Sequence, residues 1–216
     1  MSDTTKLKSL AGELGVDLFG VADLKRLRGL PPGMGGDPAG LLDKFRYAIV
    51  LGAQLNKLGA KAKGADLDVF LEKAALQISA YLETKEDRAL IIHPEDEIDP
   101  VKRLGLLSLK VLAKTAGLGW QGRSLLIVSP EYGPVHRWIA LLTNLKLQPG
   151  EPLANQCDDC TLCIDKCPHH ALKYAPFADH PAHRDDVLDI TLCKGDDSCK
   201  VCLAVCPWFK SSAAGS

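Results

Sequence analysis

Residues 157–168 read CDDCTLCIDKCP, and residues 193–207 read CKGDDSCKVCLAVCP. The first run is C-x2-C-x2-C-x3-C-P, with Cys157, Cys160, Cys163 and Cys167. The second is C-x5-C-x2-C-x3-C-P, with Cys193, Cys199, Cys202 and Cys206. All eight cysteines of the chain lie in these two runs. This is the spacing of paired iron–sulfur clusters: three cysteines wrap one cluster, and the fourth, beside the proline, ligates the other. By that rule Cys157, Cys160, Cys163 and Cys206 hold one 4Fe–4S cluster, and Cys193, Cys199, Cys202 and Cys167 hold a second. Two zinc sites would also consume eight cysteines, but zinc is usually bound by separated CxxC pairs rather than by a three-cysteine run closed with x3-CP.

Working outward, the chain has 216 residues, room for one large domain or two small ones. A net charge of −1 gives no basic field for nucleic acid or an anionic membrane. No apolar run approaches the ~20 residues of a membrane span. The start, MSDTTKLKSLAGELG, lacks a secretory signal and a twin-arginine pair. The expected location is the cytoplasm, with no membrane association, and there clustered cysteines bind metal rather than pair as disulfides. Asp158, Asp159, Asp165, Asp196 and Asp197 put negative charge near the cysteine loops, which would lower a cluster's potential unless they form only a solvated surface.

Ahead of the cysteines, apolar spacing predicts helices over Lys6–Leu14, Leu67–Leu82 and Lys102–Ala116, the last capped by Gly117. Strands are predicted in VDLFGVADL, at Tyr47–Leu51, Ala89–His93, Leu125–Ser129 and Trp138–Asn144, with PEYGP as a turn between the last two. LPPGMGGDPAG (30–40) reads as a loop, a connector or a lid. The expected fold is an α+β, mixed α/β N-terminal domain over 1–150, then a bacterial-ferredoxin-like two-cluster domain over 151–210. A disordered tail over 211–216 follows. Among the histidines, His169 and His170 follow Cys167-Pro168 and could bond a cluster sulfur. His180 and His183 fall in a polar insert, and His93 ends a strand.

AGLGWQGRSLLIVSPEYGP (116–134) is the most distinctive segment before the cysteines. Its glycines permit close approach, Trp120 could stack, and Arg123 and Ser124 could bind a polar or anionic group. A glycine-rich turn around a core tryptophan explains the same residues. Together with LGVDLFGVADL, YAIVLG, LTNLKLQPGEPLANQCDDCTLCIDKCP and CLAVCPW, this segment resembles the epoxyqueuosine reductase and reductive dehalogenase-like family, in a short form. The resemblance implies a corrinoid-type α/β domain joined to a double 4Fe–4S domain. It implies a cobalamin site near Gly117, Gly119, Trp120, Arg123 and Ser124, with the nearer cluster reducing the corrinoid. The family's catalytic aspartate falls by spacing on Arg103. The nearest upstream carboxylate, Asp99, needs a four-residue shift and reads equally as an exposed acid at a helix start. Because the chain stops at Ser216, before the helical repeats that hold tRNA in such enzymes, no tRNA is expected. The implied function is a corrinoid-linked reductase acting on a small-molecule substrate. The alternative is a ferredoxin-like electron carrier that reduces a partner protein and binds no corrinoid itself.

Overall fold

The apolar run Tyr47–Leu51 has no polar face because both sides of its strand are buried. The computed structural model describes residues 1–28, 30, 40–58, 63–94, 97–99, 101, 103–195 and 198–209. In chain order the elements are α1 (Asp3–Glu13), β1 (Leu18–Asp23), a 3-10 turn (Leu24–Leu27), α2 (Leu41–Lys44), β2 (Tyr47–Gln54), α3 (Gly64–Glu83), β3 (Leu90–Ile92), β4 (Glu97–Asp99), β5 (Leu104–Gly105), α4 (Leu109–Thr115), β6 (Trp120–Gln121), β7 (Ile127–Val128), β8 (His136–Thr143), α5 (Leu162–Asp165) and α6 (Val201–Ala204). The proposed loop 30–40 apart from its ends, Asp196, Asp197 and the tail 211–216 lie outside the described residues.

Four strands form one antiparallel sheet in the order β1-β2-β8-β3. Side chains alternate across it. Ile49, Leu51, Ala53, Ile139, Leu141 and Val21 face the layer built from α1 and α3. Ala48, Val50, Trp138, Ala140, Leu142 and Ala22 face the layer built from α4, α2 and the 3-10 turn. An antiparallel sheet often leaves one face wet; here helices cover both, so the strands carry continuous apolar runs. The fold is mixed α/β. Among the described residues no helix is long and apolar enough to cross a membrane.

Local signals set the ends of the helices. Ser2 Oγ accepts from the Thr5 N–H at 3.2 Å to start α1, and Ser108 Oγ accepts from the Val111 N–H at 3.4 Å to start α4. Helix α4 ends in a left-handed glycine, Gly117 with φ +77°, and the Leu118 N–H returns to the Ala113 carbonyl at 3.0 Å. The predicted Lys102–Ala116 helix is thereby shortened to Leu109–Thr115. Ahead of it, β4 and β5 pair as a small hairpin, with Arg103 at φ +50° in its turn. Asp99 therefore sits in a strand and not at a helix start. The segment Leu125–Ser129 also departs from expectation. Leu125 adopts φ +59°, and the short β7 pairs with β6 rather than with β8. PEYGP is a turn, closed by reciprocal 2.9 Å bonds between Ser129 and Gly133.

Two expected outcomes follow from this packing. Leu71 is fully buried in α3, whereas Leu76 on the same helix is exposed. Leu71→Ala should cost about 2–5 kcal/mol in urea unfolding, and Leu76→Ala should stay within about 0.5 kcal/mol of wild type. His136, buried in β8 with Nε2 3.0 Å from Ser129 Oγ, is pushed by desolvation from 6.5 down to about 4. A histidine kept neutral in the fold contributes stability in full above about pH 6.5 and loses it as pH falls toward 4, because the unfolded chain takes up the proton first. Between pH 7 and pH 5 the loss should be about 2 kcal/mol. Urea midpoints for wild type and His136→Gln measure it: the wild type should lose stability more steeply, and parallel profiles would contradict the assignment.

Candidate metal centres and the segment packed on them

The two cysteine runs fold alike. In the first, the Cys160 N–H bonds the Cys157 carbonyl at 2.9 Å, α5 follows, and the His170 N–H returns to the Cys167 carbonyl at 3.1 Å. In the second, the Cys199 N–H bonds the Gly195 carbonyl at 2.8 Å, α6 follows, and the Phe209 N–H returns to the Cys206 carbonyl at 2.9 Å. Helices α5 and α6 pack together. Between the runs, an antiparallel bridge joins Leu172 to Leu188, and the Lys173 and Asp189 N–H groups bond the Val187 and Ala171 carbonyls at 2.8 Å. The stretched first gap of the second run does not disturb this correspondence.

Burial pushes the Cys163 thiol up to about 12, and Cys157, Cys202, Cys160 and Cys206 add to the rise. Burial pushes Cys202 up to about 11, with Cys193, Cys199 and Cys167 adding to it. Cys206 is raised by burial, with Cys157 and Cys160 adding to it. Cys167 behaves differently. Burial raises it, but the N–H groups of Leu172, His169, Ala171 and His170 outweigh that and hold its thiol below the usual range. N–H groups converging on a sulfur suit a thiolate ligand. All eight thiols are free and half-buried.

Among the described residues, no three Cys, His, Asp or Glu side chains converge as ligands of one metal ion. The donor set is all sulfur, which suits an iron–sulfur group.

The segment 116–124 lies against the first run. Asn155 clamps the two: its Nδ2 donates to the Gln121 carbonyl at 2.8 Å, and its Oδ1 accepts from the Cys157 N–H at 2.9 Å. A Cβ on Gly122 would lie 3.7 Å from Cys157 Sγ. Trp120, 1% exposed, meets Trp208 edge-on at 4.8 Å. Arg123, buried, donates from Nη2 to the Asp158 carbonyl and lies over the rings of Tyr174 at 5.5 Å and Phe177 at 6.0 Å. Ser124 is half-buried beside it.

The glycines of this segment admit the chain's own backbone. A Cβ on Gly117 would meet the Glu151 carbonyl at 2.4 Å, and one on Gly119 the Val128 carbonyl at 2.4 Å. A cavity of about 130 Å3 lies nearby, lined by Arg26, Lys114, Gln121, Pro152 and His180 among others. Pockets for drug-sized ligands run to about 300–1,000 Å3, and a corrinoid is larger still. Among the described residues, Gly117, Gly119, Trp120 and Arg123 are packed by the chain's own atoms.

Other predicted residues lie apart. Arg103 is exposed, 3.5 Å from where a Cβ on Gly195 would sit, and Asp99 is half-buried in β4. His93 stands 3.5 Å from Glu72, and His180 bonds the Pro181 carbonyl at 3.0 Å. Asn155, Tyr174 and Phe177 carry no motif that would single them out in the sequence. Trp208 does, through the CPW ending.

No family model matches the chain. An epoxyqueuosine reductase from Staphylococcus aureus is 29% identical over 147 residues, 68% of this chain and 33% of that protein. The chain therefore spans about a third of the length of that curated relative. Epoxyqueuosine reductase from Bacillus subtilis superposes on 95% of this chain and 65% of its own, with a TM-score of 0.68 and 20% identity. A reductive dehalogenase whose structure suggests a mechanism for B12-dependent dehalogenation covers 95% of this chain and 31% of its own, with a TM-score of 0.70 and 16% identity. One expectation is corrected by these likenesses. The exclusion of tRNA rested on where the chain stops, yet an epoxyqueuosine reductase solved with an epoxyqueuosine-modified tRNA-Tyr stem loop shares the fold over 94% of this chain, with a TM-score of 0.65 and 21% identity, over 64% of its own. By sequence this chain is similar to the epoxyqueuosine reductases, and it shares their fold and that of the reductive dehalogenase.

Proposed function

We propose that this protein is an iron–sulfur oxidoreductase component in which two 4Fe–4S clusters supply low-potential electrons to a reductive reaction. The observation that supports the proposal most is the packing of the two alike-folded cysteine runs through α5 and α6: beyond burial, Cys163 is raised by Cys157, Cys202, Cys160 and Cys206, and Cys202 by Cys193, Cys199 and Cys167. The last cysteine of each run thus lies among the thiols of the other, as the spacing rule requires, and Cys202 beside Cys163 joins the two groups. When bound, each cluster would accept and release one electron at a time. The protein's part is to hold the sulfurs and exclude water from them. Backbone N–H groups after each Cys-Pro would support the exchanged sulfurs, from Leu172, His169, Ala171 and His170 at Cys167 and from Trp208 and Phe209 at Cys206. The division into 1–150 and 151–210 belongs to the same proposal.

Two acceptors have support. Likeness to a B12-dependent dehalogenase supports a corrinoid. The packing of Gly117, Gly119, Trp120 and Arg123 against this chain's own atoms supports the second reading, an acceptor carried by a partner. The relative that holds a tRNA stem loop supports tRNA as the molecule bearing the group to be reduced. Cob(II)alamin added to the anaerobically reconstituted protein separates the acceptors: a perturbed cobalt EPR spectrum favours the corrinoid, and an unchanged one the partner.

The cluster assignment has its own test in iron content. Wild type should hold about eight irons per chain, the sum of two 4Fe–4S clusters. Cys157→Ala with Cys206→Ala should lose only about half of the iron, although the two residues lie in different runs. Cys157→Ala with Cys167→Ala, both in the first run, should lose nearly all. The opposite ranking, or two zincs per chain, would refute the exchange of ligands between runs.

A further inference from the structure

Among the described residues, Arg123 is a buried cation with no anionic side chain in salt-bridge contact. Its residue is 9% exposed, and its Nε and Nη1 have no hydrogen-bond partner among the described residues. Nη2 reaches only a neutral acceptor, the Asp158 carbonyl. Tyr174 and Phe177 present their rings to the guanidinium, which eases its desolvation without neutralising it. A buried charge left this way is strongly unfavourable unless something of opposite sign lies alongside. What lies alongside is the first cysteine loop: Gly122, the preceding residue, faces Cys157 Sγ, and Asp158 follows that cysteine. Four thiolates bring net negative charge to a cluster there. Trp120 Nε1, buried and also without a partner among the described residues, is a second orphaned donor in the same segment, and its ring rests on Trp208, two residues after Cys206.

We propose that Arg123 is the counter-charge of the cluster held by Cys157, Cys160, Cys163 and Cys206, and that it raises the midpoint potential of that cluster above the other's. The inference rests on the two-cluster reading above. Arg123 acts through the field it sets at the cluster, as a positioning and tuning residue. Adding one electron makes the cluster more negative, so a fixed positive charge at close range favours the reduced form. Among the described residues the second loop has no buried equivalent: Arg103, near Gly195, is exposed to solvent that screens it. The two clusters would then differ in potential although their ligands are the same.

EPR-monitored redox titration of the full, anaerobically reconstituted chain tests this, with iron content measured on each sample. Cys157→Ala identifies which midpoint belongs to the first cluster. Arg123→Gln should lower that midpoint by a tenfold or larger change in the reduction equilibrium, about 59 mV per tenfold for one electron, and leave the other midpoint in place. Arg123→Lys keeps the charge and should stay within threefold of wild type. If Arg123→Gln cannot hold the first cluster, it should lose about half of its iron while Arg123→Lys keeps all of it. The proposal is overturned if the glutamine variant keeps both its iron and its midpoints, or if the lysine variant fails as the glutamine variant does. A wild-type chain without about eight irons would instead sink the two-cluster reading itself.

Discussion

Sulfur crowding is the constraint on which the rest of the molecule depends. Eight half-buried thiols are gathered into a segment of about fifty residues that has little apolar core of its own: Ala171, Leu172, Val187 and Leu203 are the buried hydrophobic side chains there. Burial and mutual proximity push Cys163 and Cys202 far above an ordinary thiol. Ionising such a group of sulfurs without a cation would be prohibitive, so the arrangement is stable only with protonated thiols or bound metal. In the proposed two-cluster arrangement, metal binding would supply folding free energy that the small core cannot. The exchange of Cys167 and Cys206 between runs would make that contribution cooperative, because neither loop could be completed before the other.

The sheet serves this segment as a rigid support. Residues packed on both faces fix β2 and β8, and α4 lies across one face, ending in the left-handed turn at Gly117. That turn delivers Trp120, Gly122 and Arg123 to the first cysteine loop, and Asn155 ties the two backbones together. Further bonds hold the intervening stretch to the sheet: Arg26 pairs with Glu151 at 2.8 Å, and the Gly150 N–H bonds the Val21 carbonyl at 2.8 Å. The stretch 148–156 between the sheet and the cysteine runs is therefore fastened at several points. Lys114, buried in α4, adds a 2.5 Å ion pair to Asp179 in the insert between the cysteine runs.

How much of this was legible follows from the range of the interactions. The proposed cluster ligands could be named from the sequence because most of each set are neighbours in it. Strands β1, β2 and β8 could be read because burial on both faces makes them continuous apolar runs, and helix α3 because burial of one face writes a helical period into it. The hairpin of β4 and β5 could not, since strands of two and three residues carry no period, and its apolar positions mimic a helical pattern. The segment 116–124 left two readings open for another reason. Glycines at 117 and 119 do mark close approach, but sequence cannot say what approaches, and here it is the backbone at Glu151 and Val128. The orphaned Arg123 needed the fold, because Asp158, Tyr174 and Phe177 are distant in sequence. The exclusion of tRNA failed because it leaned on the end of the chain rather than on any residue.

The most direct test of the central claim, that each run lends its last cysteine to the other run's cluster, is iron-edge anomalous diffraction from crystals grown without oxygen. The account predicts two compact iron sites, one touched by Cys157, Cys160, Cys163 and Cys206, the other by Cys193, Cys199, Cys202 and Cys167. Iron sites each bounded by the four cysteines of a single run, or isolated single-metal peaks, would contradict it.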